Sequence, residues 1–328
     1  MTALPQYGKH VHPSETMRAV VIDRYGGPEV LRLTTVPRPV PTRGQVLVRT
    51  RFVGVNPKDV IVRKGKFQIA TGKKFPLIVG HDIAGEVVEA GPGADLNKGD
   101  LVYGMINDFA GRAYAEYAAV DCQQLAKAPT SVELAVAAAV PLAAQTALQA
   151  LRDDAELKAG QNVLINGASG GVGVFAVQIA KILGAQVTAV CSHRNVDLVT
   201  ELGADSIVDY TKTELADLDE RFDVIFDVFG NYCFDDLRKL LSERGTYVNT
   251  IPSARIFKDV ARSFVRRKRA KLVIVKSRRD QLEWLRQQID AGRLRVVVDR
   301  SFPISDVAEA HRFMETKRAR GKVVLAVD

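Results

Sequence analysis

The sequence predicts an α/β protein with a β-barrel-like domain followed by a doubly wound parallel sheet. Short β-type runs punctuated by glycine and proline dominate the first part of the chain, from about Met17 to Pro129. From about Asn162 the pattern changes to alternating strands and helices, and after Leu294 β-type runs return. A chain of 328 residues with 47% hydrophobic and 26% charged residues is long and apolar enough for two domains with buried cores.

The first part is predicted to contain five strands: Met17–Ile22, Gln45–Val53, Ile83–Ala90, Leu101–Gly104 and Tyr114–Val120. Turn signals such as Gly91-Pro92-Gly93 separate them. Short strands broken by frequent tight turns favour a compact barrel-like domain.

The second part is predicted to contain the strands Asn162–Asn166, Gln186–Val190, Asp223–Val228, Gly245–Asn249 and Lys271–Val275. Helical patterns lie between them, such as Val172–Leu183 and Asn195–Leu202, each ended by a glycine. The alanine-rich Leu134–Leu151 is predicted to be a buried helix in two pieces. Alternating strands and helices indicate a parallel sheet with helices on both faces. The later β-type runs, Val296–Val298 and Val323–Val327, are expected to rejoin the first domain.

A glycine-rich turn follows the apolar strand Asn162–Asn166 and precedes a helix with an apolar face. Glycines at such a turn let the backbone approach a pyrophosphate, and the helix N-terminus offers free N–H groups. The strand before and the helix after give the pattern the context of a dinucleotide site. An ordinary tight turn is the alternative. The predicted contacts are Gly167, Ser169, Gly170, Gly171, Val172 and Gly173.

The end of the next strand predicts which dinucleotide is bound. An NAD site places Asp or Glu there for the ribose hydroxyls, but this chain has Ser192, Arg194 and Asn195 and no carboxylate. A hydroxyl, a guanidinium and an amide suit a 2′-phosphate through charge-assisted hydrogen bonds. NADPH is therefore the predicted cofactor. The alternative is that Arg194 is an ordinary exposed side chain.

Composition limits the cellular setting and the partners. The three cysteines are far apart, which argues against a disulfide framework and fits a reducing compartment. No apolar run is long enough to span a membrane, and residues 1–16 do not resemble a signal peptide. We expect a cytoplasmic protein with no nucleic-acid partner. The stretch Arg262–Arg279 contains nine basic and no acidic residues. It is interpreted as a solvated surface, with weak peripheral contact to an anionic membrane, or an RNA or protein partner, as the alternatives.

Motifs along nearly the whole chain resemble one superfamily. They include Gly54-Val-Asn-Pro-Lys-Asp59, Gly80-His-Asp82, Tyr114-Ala-Glu-Tyr117, Asn166–Gly173, Leu202-Gly-Ala-Asp205 and Arg320-Gly-Lys322. In this order they look like the medium-chain dehydrogenase/reductase superfamily, in its quinone oxidoreductase branch. The alkenal/one and chloroplast-envelope-type reductases fit best. The resemblance implies a GroES-like catalytic domain (1–140, completed by 296–328), a Rossmann domain (141–295), a substrate cleft between them and a homodimer.

The resemblance also bears on zinc. Zinc-dependent members take one ligand from a cysteine where this chain has Asn56, and a second where it has His81. No thiolate or carboxylate stands near Pro141–Gln145, where the third would lie. Catalytic zinc needs three protein ligands and an open position. No metal is therefore expected, and His81 is interpreted as a relic or a hydrogen-bonding residue beside the cleft.

Further site residues follow from the family's cleft. Asn56 is expected to orient substrate or nicotinamide ribose, with a turn cap as the alternative. Thr146 is expected to contact the nicotinamide, and Lys58 or Tyr103 to polarise the substrate carbonyl. Tyr114 and Tyr117 are expected to pack within the barrel, and loops Val62–Lys74 and Met105–Arg112 to line the substrate pocket. The remaining carried-over cofactor contacts are Tyr210, Phe229, Gly230, Asn249, Thr250, Ile251, Gly321 and Lys322.

Without a metal, no Lewis acid stabilises an alkoxide, so alcohol oxidation is disfavoured. Hydride transfer from NADPH to an electron-poor acceptor remains feasible. The predicted function is reduction of a quinone or of the C=C bond of an α,β-unsaturated carbonyl. A non-catalytic NADPH-binding sensor of the same fold is the alternative, and a zinc alcohol dehydrogenase is less favoured.

Overall fold

The computed structural model describes residues 15–264 and 266–327. Its first part contains β1 (Thr16–Ile22), β2 (Arg32–Pro37), β3 (Gln45–Val55), α1 (Pro57–Arg63), α2 (Gln68–Thr71), β4 (Leu77–Ile78), β5 (Asp82–Ala90), β6 (Leu101–Met105), β7 (Tyr117–Asp121), β8 (Leu125–Lys127) and α3 (Leu134–Ala137). The second contains α4 (Pro141–Leu148), β9 (Asn162–Asn166), α5 (Gly173–Ile182), β10 (Gln186–Cys191), α6 (Val196–Glu201), β11 (Ser206–Asp209), β12 (Phe222–Asp227), α7 (Phe234–Leu237), β13 (Leu241–Asn249), α8 (Ala254–Ser263), β14 (Arg269–Leu272) and α9 (Arg279–Asp290). The tail adds β15 (Val298–Pro303), α10 (Val307–Glu315) and β16 (Lys322–Ala326).

The first part forms two sheets around one apolar core. A seven-stranded sheet has the order β15-β16-β3-β5-β6-β8, with β7 also paired to β3, and a three-stranded sheet has the order β2-β1-β4. The strand β3 is the centre of this arrangement because it pairs with β5, β7 and β16. Its valines at positions 46 and 48 are buried while Arg49 and Arg51 are exposed. This alternation places one face of the strand on the core.

The tail strand β16 pairs antiparallel with β3, with Val324 opposite Gly54, so it lies in the first sheet rather than in the parallel one. The preceding strand was predicted at Val296–Val298, but β15 runs from Val298 to Pro303. The prediction followed a β-branched run, whereas β15 is an edge strand with exposed polar residues at its centre. The domain limits 1–140, 141–295 and 296–328 stay a prediction, and residues 1–14 and 328 lie outside the described ranges.

The second part is a six-stranded parallel sheet with the order β11-β10-β9-β12-β13-β14. The chain starts at the central strand β9, winds outward to β11, and then returns to the other side of β9 at β12. Ligands of such sheets bind at the carboxyl ends of the strands beside this reversal. The last strand was predicted at Lys271–Val275, but pairing covers Arg269–Leu272, and Ile274 is 70% exposed.

Polar contacts join the two parts along α9 and the segment before it. Ser277 Oγ donates to Gln124 O at 2.9 Å, and Arg279 Nε donates to the carbonyl oxygens of Cys122 and Leu125, each at 3.0 Å. Arg279 also pairs with Asp95 at 2.5 Å. Arg279, the last residue of the basic stretch, therefore links the two parts of the molecule and is not freely solvated.

The prediction that Tyr103 polarises a substrate carbonyl is corrected by its position. Tyr103 is fully buried, and its hydroxyl donates to Leu282 O of α9 at 2.6 Å. Burial raises the pKa of Tyr103 above its usual value, chiefly because the charged form would be desolvated. The hydroxyl is therefore committed to the contact between the two parts of the molecule.

Across the described ranges, the helices are all too short or too polar to cross a bilayer.

His311 on α10 predicts a pH dependence of stability. It is fully buried, its Nε2 lies 3.4 Å from the Tyr114 hydroxyl, and burial lowers its pKa to about 4. The unfolded chain takes up this proton near pH 6.5 and the folded protein only near pH 4, so the stability that His311 confers is present above pH 6.5 and lost as pH falls toward 4. Urea unfolding should show a loss of about 2 kcal/mol from this group between pH 7 and pH 5. In the variant His311→Gln this part of the loss should disappear, and an unchanged pH slope would contradict the assignment.

Candidate active site

The glycine-rich turn lies between the carboxyl end of β9 and the start of α5. Gly167 has a φ of +85°, a conformation that glycine adopts without strain. At Gly173 a methyl carbon would lie 2.1 Å from the carbonyl oxygen of Gly167, so the start of α5 packs directly on the turn. Beside Gly170 such a carbon would meet only the Gly167 oxygen, at 3.4 Å. The turn is therefore closed beneath the helix and open above Gly170, as a bound pyrophosphate requires.

The ends of the neighbouring strands form a groove beside this turn. Phe229 and Ile251 are 48% and 39% exposed there, and Tyr210 is 55% exposed at the end of β11. The side chain of Phe229 lies near Gly167, because a methyl carbon on that glycine would be 3.4 Å from Phe229 Cβ. Exposed aromatic and aliphatic side chains at the carboxyl ends of the strands suit the flat faces of a dinucleotide.

A buried carboxylate fixes the backbone of the groove. Asp227, fully buried at the end of β12, accepts hydrogen bonds from Asn166 Nδ2 and Gly230 N, each at 2.8 Å, and from the Tyr247 hydroxyl at 2.9 Å. The Asn249 side chain joins this network by donating to Tyr247 at 2.8 Å. Gly230 and Asn249, both predicted to contact the cofactor, therefore belong to one hydrogen-bond network centred on Asp227.

Two more predicted contacts complete this edge of the groove. Asn249 Oδ1 accepts from Ile251 N at 2.6 Å. Thr250 Oγ1 donates to Val228 O at 2.9 Å. The turn after β13 is thus tied to the turn after β12.

The residues predicted to choose the cofactor lie together at the end of β10. Asn195 Nδ2 donates to Ser169 Oγ at 2.9 Å, which links this corner to the glycine turn. Ser192 is 9% exposed, whereas Arg194 is exposed. Asn195 Oδ1 is buried and has no hydrogen-bond partner in the described part of the chain. The Ser192 hydroxyl and the Arg194 guanidinium can donate to a ribose phosphate, whereas the orphaned amide oxygen can only accept and suits a ribose hydroxyl.

The C-terminal tail also contacts the glycine turn. Gly321 N donates to Ser169 O at 3.0 Å, and a methyl carbon on Gly171 would lie 3.3 Å from Lys322 Cδ. Lys322 is 3% exposed, and its ammonium contacts Asn56 Oδ1 and lies 3.4 Å from Asp82 Oδ2. Lys322 therefore connects the glycine turn to the first domain.

Asp82 is the centre of this buried polar cluster. It is fully buried, and it accepts from Asn56 Nδ2 at 2.9 Å and from Leu142 N of α4 at 2.7 Å. Burial raises the pKa of Asp82, against the charge of Lys322 and these hydrogen bonds, which lower it. Asn56 is the N-cap residue of α1, its backbone N–H donates to Asp59 Oδ2 at 2.8 Å, and its side chain also contacts Asp82 and Lys322.

Two other predicted catalytic residues have different positions. Thr146 is buried on α4, and its hydroxyl donates to Leu142 O within the same helix at 2.7 Å. Lys58 on α1 is half-buried, and burial lowers its pKa, while the nearby carboxylates of Asp59, Asp82 and Asp108 raise it. The hydroxyl proton of Thr146 is already used, so Thr146 can contact a nicotinamide only by accepting a hydrogen bond. That Lys58 polarises the substrate carbonyl stays a prediction.

Comparison with known proteins gives the family. The model of the alcohol dehydrogenase GroES-like domain matches residues 42–130, and that of a zinc-binding dehydrogenase matches residues 202–325. An alkenal/one oxidoreductase of Arabidopsis thaliana, named as NADPH-dependent and chloroplastic, is 37% identical over 94% of this chain and 79% of its own length. A chloroplast envelope quinone oxidoreductase homolog of the same plant is 33% identical over 94% of this chain and 98% of its own length. The structure of the quinone oxidoreductase from Coxiella burnetii superposes with a TM-score of 0.89 at 30% identity, covering 95% of this chain and 100% of that one.

The chain belongs to the medium-chain dehydrogenase/reductase superfamily. Its similarity to the quinone and alkenal/one oxidoreductases places it in the quinone oxidoreductase branch. The GroES-like and Rossmann folds that the resemblance implied are confirmed.

The donor set does not fit the zinc that other members of the superfamily hold. Asn56 Oδ1 contacts the Lys322 ammonium, and His81 Nδ1 contacts Asp59 Oδ1 at 2.5 Å. Within the described ranges, no group of three or more His, Cys, Asp and Glu side chains is arranged to hold a metal ion. The Lys322 cation beside Asn56 opposes metal binding there, and the one free imidazole nitrogen of His81 falls short of the three protein ligands that catalytic zinc needs. That the protein uses no zinc stays a prediction, which metal analysis of the purified protein checks.

Sequence reasoning missed three buried carboxylates of this superfamily member: Asp59, Asp82 and Asp227. A signal existed for two of them, because Asp59 and Asp82 lie inside motifs that carry the resemblance, Gly54–Asp59 and Gly80–Asp82. Nothing in the sequence says that Asp82 meets Lys322, which is 240 positions away.

Proposed function

We propose that this chain is a zinc-independent, NADPH-dependent reductase of quinones or of the C=C bond of α,β-unsaturated carbonyls. The observation that carries the proposal is the groove at the glycine turn, which adjoins a polar cluster of Asn56, Asp82 and Lys322 instead of three metal donors. The named activities of its relatives agree with it. They include an NADPH-dependent alkenal/one oxidoreductase and a 2-methylene-furan-3-one reductase of Solanum lycopersicum, which is 35% identical over 95% of this chain and 79% of its own length.

The chemistry follows from the groups that surround the groove. The nicotinamide supplies a hydride when bound, and the protein positions it against the acceptor. Negative charge then develops on the acceptor oxygen. Lys58, half-buried and cationic, is the predicted group that polarises this oxygen, and Asn56 is the predicted group that orients the substrate or the nicotinamide ribose.

The test is the loss of NADPH absorbance with a panel of quinones, alkenals and enones. We expect turnover with at least one of these acceptor classes and none with primary alcohols plus NADP⁺. Tight NADPH binding without turnover on any acceptor would favour the non-catalytic sensor instead. Alcohol oxidation that depends on added zinc would replace the proposal with a zinc alcohol dehydrogenase.

The choice of NADPH over NADH yields a mutational prediction. Arg194→Ala should weaken NADPH binding about 10- to 100-fold, because it removes charge-assisted hydrogen bonds to the 2′-phosphate. NADH lacks this phosphate, so its affinity should not change. The matched control is Arg244→Ala, an exposed arginine near the amino end of β13 and away from the groove. Fluorescence titration measures all four affinities, and an equal loss for both cofactors would contradict the assignment.

We also propose that the protein is a homodimer that associates through the edge of the parallel sheet. The strand β14 is the last in the order, and among residues 15–264 and 266–327 its one partner strand is β13. Beside it, Phe264 and Ile274 are 77% and 70% exposed, which is unusual for large apolar side chains on a free surface. A second copy would pair with the open strand edge and cover both side chains.

Light scattering should give the mass of a dimer for the protein and of a monomer for Phe264→Asp/Ile274→Asp. The same surface carries the exposed cations of the basic stretch, in which Val265 lies outside the described residues. Monomeric protein that co-sediments with anionic but not neutral vesicles would favour the membrane alternative and exclude the dimer.

We further propose that the protein is cytoplasmic and has no nucleic-acid partner. The three cysteines are buried and free, which supports a reducing compartment.

A further inference from the structure

A buried imidazole–carboxylate pair lies in the first domain, in addition to the groups assigned to the cofactor and the acceptor. His81 and Asp59 are both fully buried, and His81 Nδ1 lies 2.5 Å from Asp59 Oδ1. The other oxygen of Asp59 accepts from Asn56 N at 2.8 Å and from the Tyr114 hydroxyl at 3.0 Å. Both oxygens of the carboxylate are thus occupied, so the carboxylate cannot turn and the ring it faces is held in one orientation.

The second nitrogen of this ring has no partner. His81 Nε2 is buried and makes no hydrogen bond in the part of the chain that the structure describes. A buried polar atom without a partner costs free energy, so such atoms are concentrated at functional positions or wait for a ligand. With Nδ1 directed at a carboxylate, Nε2 is the nitrogen that remains to exchange a proton with a substrate.

The pair lies next to the site. His81 packs against the loop Met105–Arg112, which is predicted to line the substrate pocket, because a methyl carbon on Gly111 would be 3.1 Å from His81 Cγ. Through Asn56, the pair is also connected to the cluster of Asp82 and Lys322, which reaches the glycine turn. His81 therefore stands between the predicted pocket and the polar cluster beside the cofactor groove.

Other candidate proton donors in this region are committed elsewhere. The hydroxyl of Tyr103 donates to Leu282 O, that of Thr146 donates to Leu142 O, and that of Tyr114 donates to Asp59. Asn56 has no acidic proton. Of the two remaining candidates Lys58 and His81, His81 is the one whose ring nitrogen lies against a carboxylate that holds it in place.

We propose that His81 is the acid that supplies the proton of the reduction and that Asp59 is the residue that positions it. The proposal rests on the proposed reductase function. The hydride from NADPH adds to the acceptor, the electron pair of the reduced bond moves to oxygen, and NADP⁺ leaves. His81 Nε2–H then protonates the enolate or hydroquinone oxygen, and the neutral ring recovers its proton from water.

The charged groups around the ring are consistent with this role. Burial alone would raise the pKa of Asp59, but the hydrogen bond and charge of His81, the charge of His311 and the Asn56 amide hold it below its usual value. Asp59 therefore stays ionised and faces the His81 ring with its charge. The other titratable groups packed around the pair are Lys58 and Arg63 of α1, Asp82 of β5, Tyr114, and His311 and Glu315 of α10.

The experiment compares His81→Gln with His311→Gln on two acceptors. His311 is the matched control because it is equally buried and lies at 3.4 Å from the same Tyr114 hydroxyl, but among the described residues it makes no hydrogen bond with Asp59. With an alkenal, His81→Gln should lower kcat about 10²- to 10³-fold, the range of a general acid. With an electron-poor tetrahaloquinone, whose hydroquinone anion forms without a strong acid, the loss should stay below about tenfold. His311→Gln should show no such dependence on the acceptor.

The solvent isotope effect provides a second readout, which a purely structural role would not produce. The wild type should turn over the alkenal at least about twofold more slowly in D₂O than in H₂O, and Asp59→Asn should lower kcat with the alkenal more than with the quinone. If His81→Gln lowers kcat equally with both acceptors, the proposal is overturned. It is also overturned if Lys58→Met, and not His81→Gln, lowers kcat more with the alkenal than with the quinone. If His81→Gln does not fold, a wild type without a solvent isotope effect would also overturn it. A wild type that reduces no acceptor would instead refute the reductase function.

Discussion

Gly173→Ala should abolish useful NADPH binding, with an affinity loss on the order of 100-fold or more. The new methyl carbon would lie 2.1 Å from Gly167 O and 2.6 Å from Ala168 C. Both are backbone atoms, so no side-chain rotation relieves the clash and the first turn of α5 must move away from the glycine turn. The N–H groups that face the pyrophosphate move with it, and losing two charge-assisted hydrogen bonds is enough for an effect of about 3 kcal/mol.

Calorimetric titration with NADPH measures this loss, and thermal unfolding shows that the variant is folded. Gly170→Ala is the graded comparison, because its methyl carbon would meet only Gly167 O at 3.4 Å. It should keep the stability of the wild type and lose less than about tenfold in affinity. Wild-type affinity in Gly173→Ala would mean that the turn does not hold the pyrophosphate.

Lys322→Met should destabilise the folded protein by about 3–5 kcal/mol, the cost of leaving one partner of a buried charge pair alone. Lys322 is 3% exposed and Asp82 is fully buried, so water cannot replace the lost ammonium. The buried carboxyl would keep hydrogen bonds from Asn56 and Leu142 but no cation. Urea unfolding measures the loss, and Arg320→Met, an exposed neighbour on the tail, should change stability by less than about 0.5 kcal/mol.

The pH dependence of the Lys322→Met deficit distinguishes a charge effect from a packing effect. Burial already raises the pKa of Asp82, and loss of Lys322 should raise it further. A carboxyl whose folded pKa lies above its unfolded value contributes stability at low pH that is lost as pH rises through the folded pKa. The deficit relative to the wild type should therefore shrink from pH 7.5 to pH 5, and Lys322→Met/Asp82→Asn should recover part of it. A deficit that is independent of pH would contradict the assignment.

The sequence alone determined the fold class and the glycine turn, because these depend on local patterns. Periodicity and glycine positions identified β9 and the start of α5 to within a residue, since the turn, the strand and the helix are consecutive in the chain. The alternation of strands and helices determined the parallel sheet, because a parallel crossover needs a helix to return the chain. The family motifs added the closure of the first sheet by the tail, which pairing between β16 and β3 shows.

Only the tertiary structure decided which side chains share a site, because their partners are far apart in sequence. Tyr103 is turned away from the cleft by a carbonyl of α9 that is 179 positions away. Lys322 meets Asn56 across 266 positions, and His81 meets Asp59 across 22. Local sequence carries no information about such pairs, since the packing of the two domains and the tail sets which polar groups lose water together and must satisfy one another. The glycine turn could be read from the chain, whereas the buried cluster beside it exists only in the folded molecule.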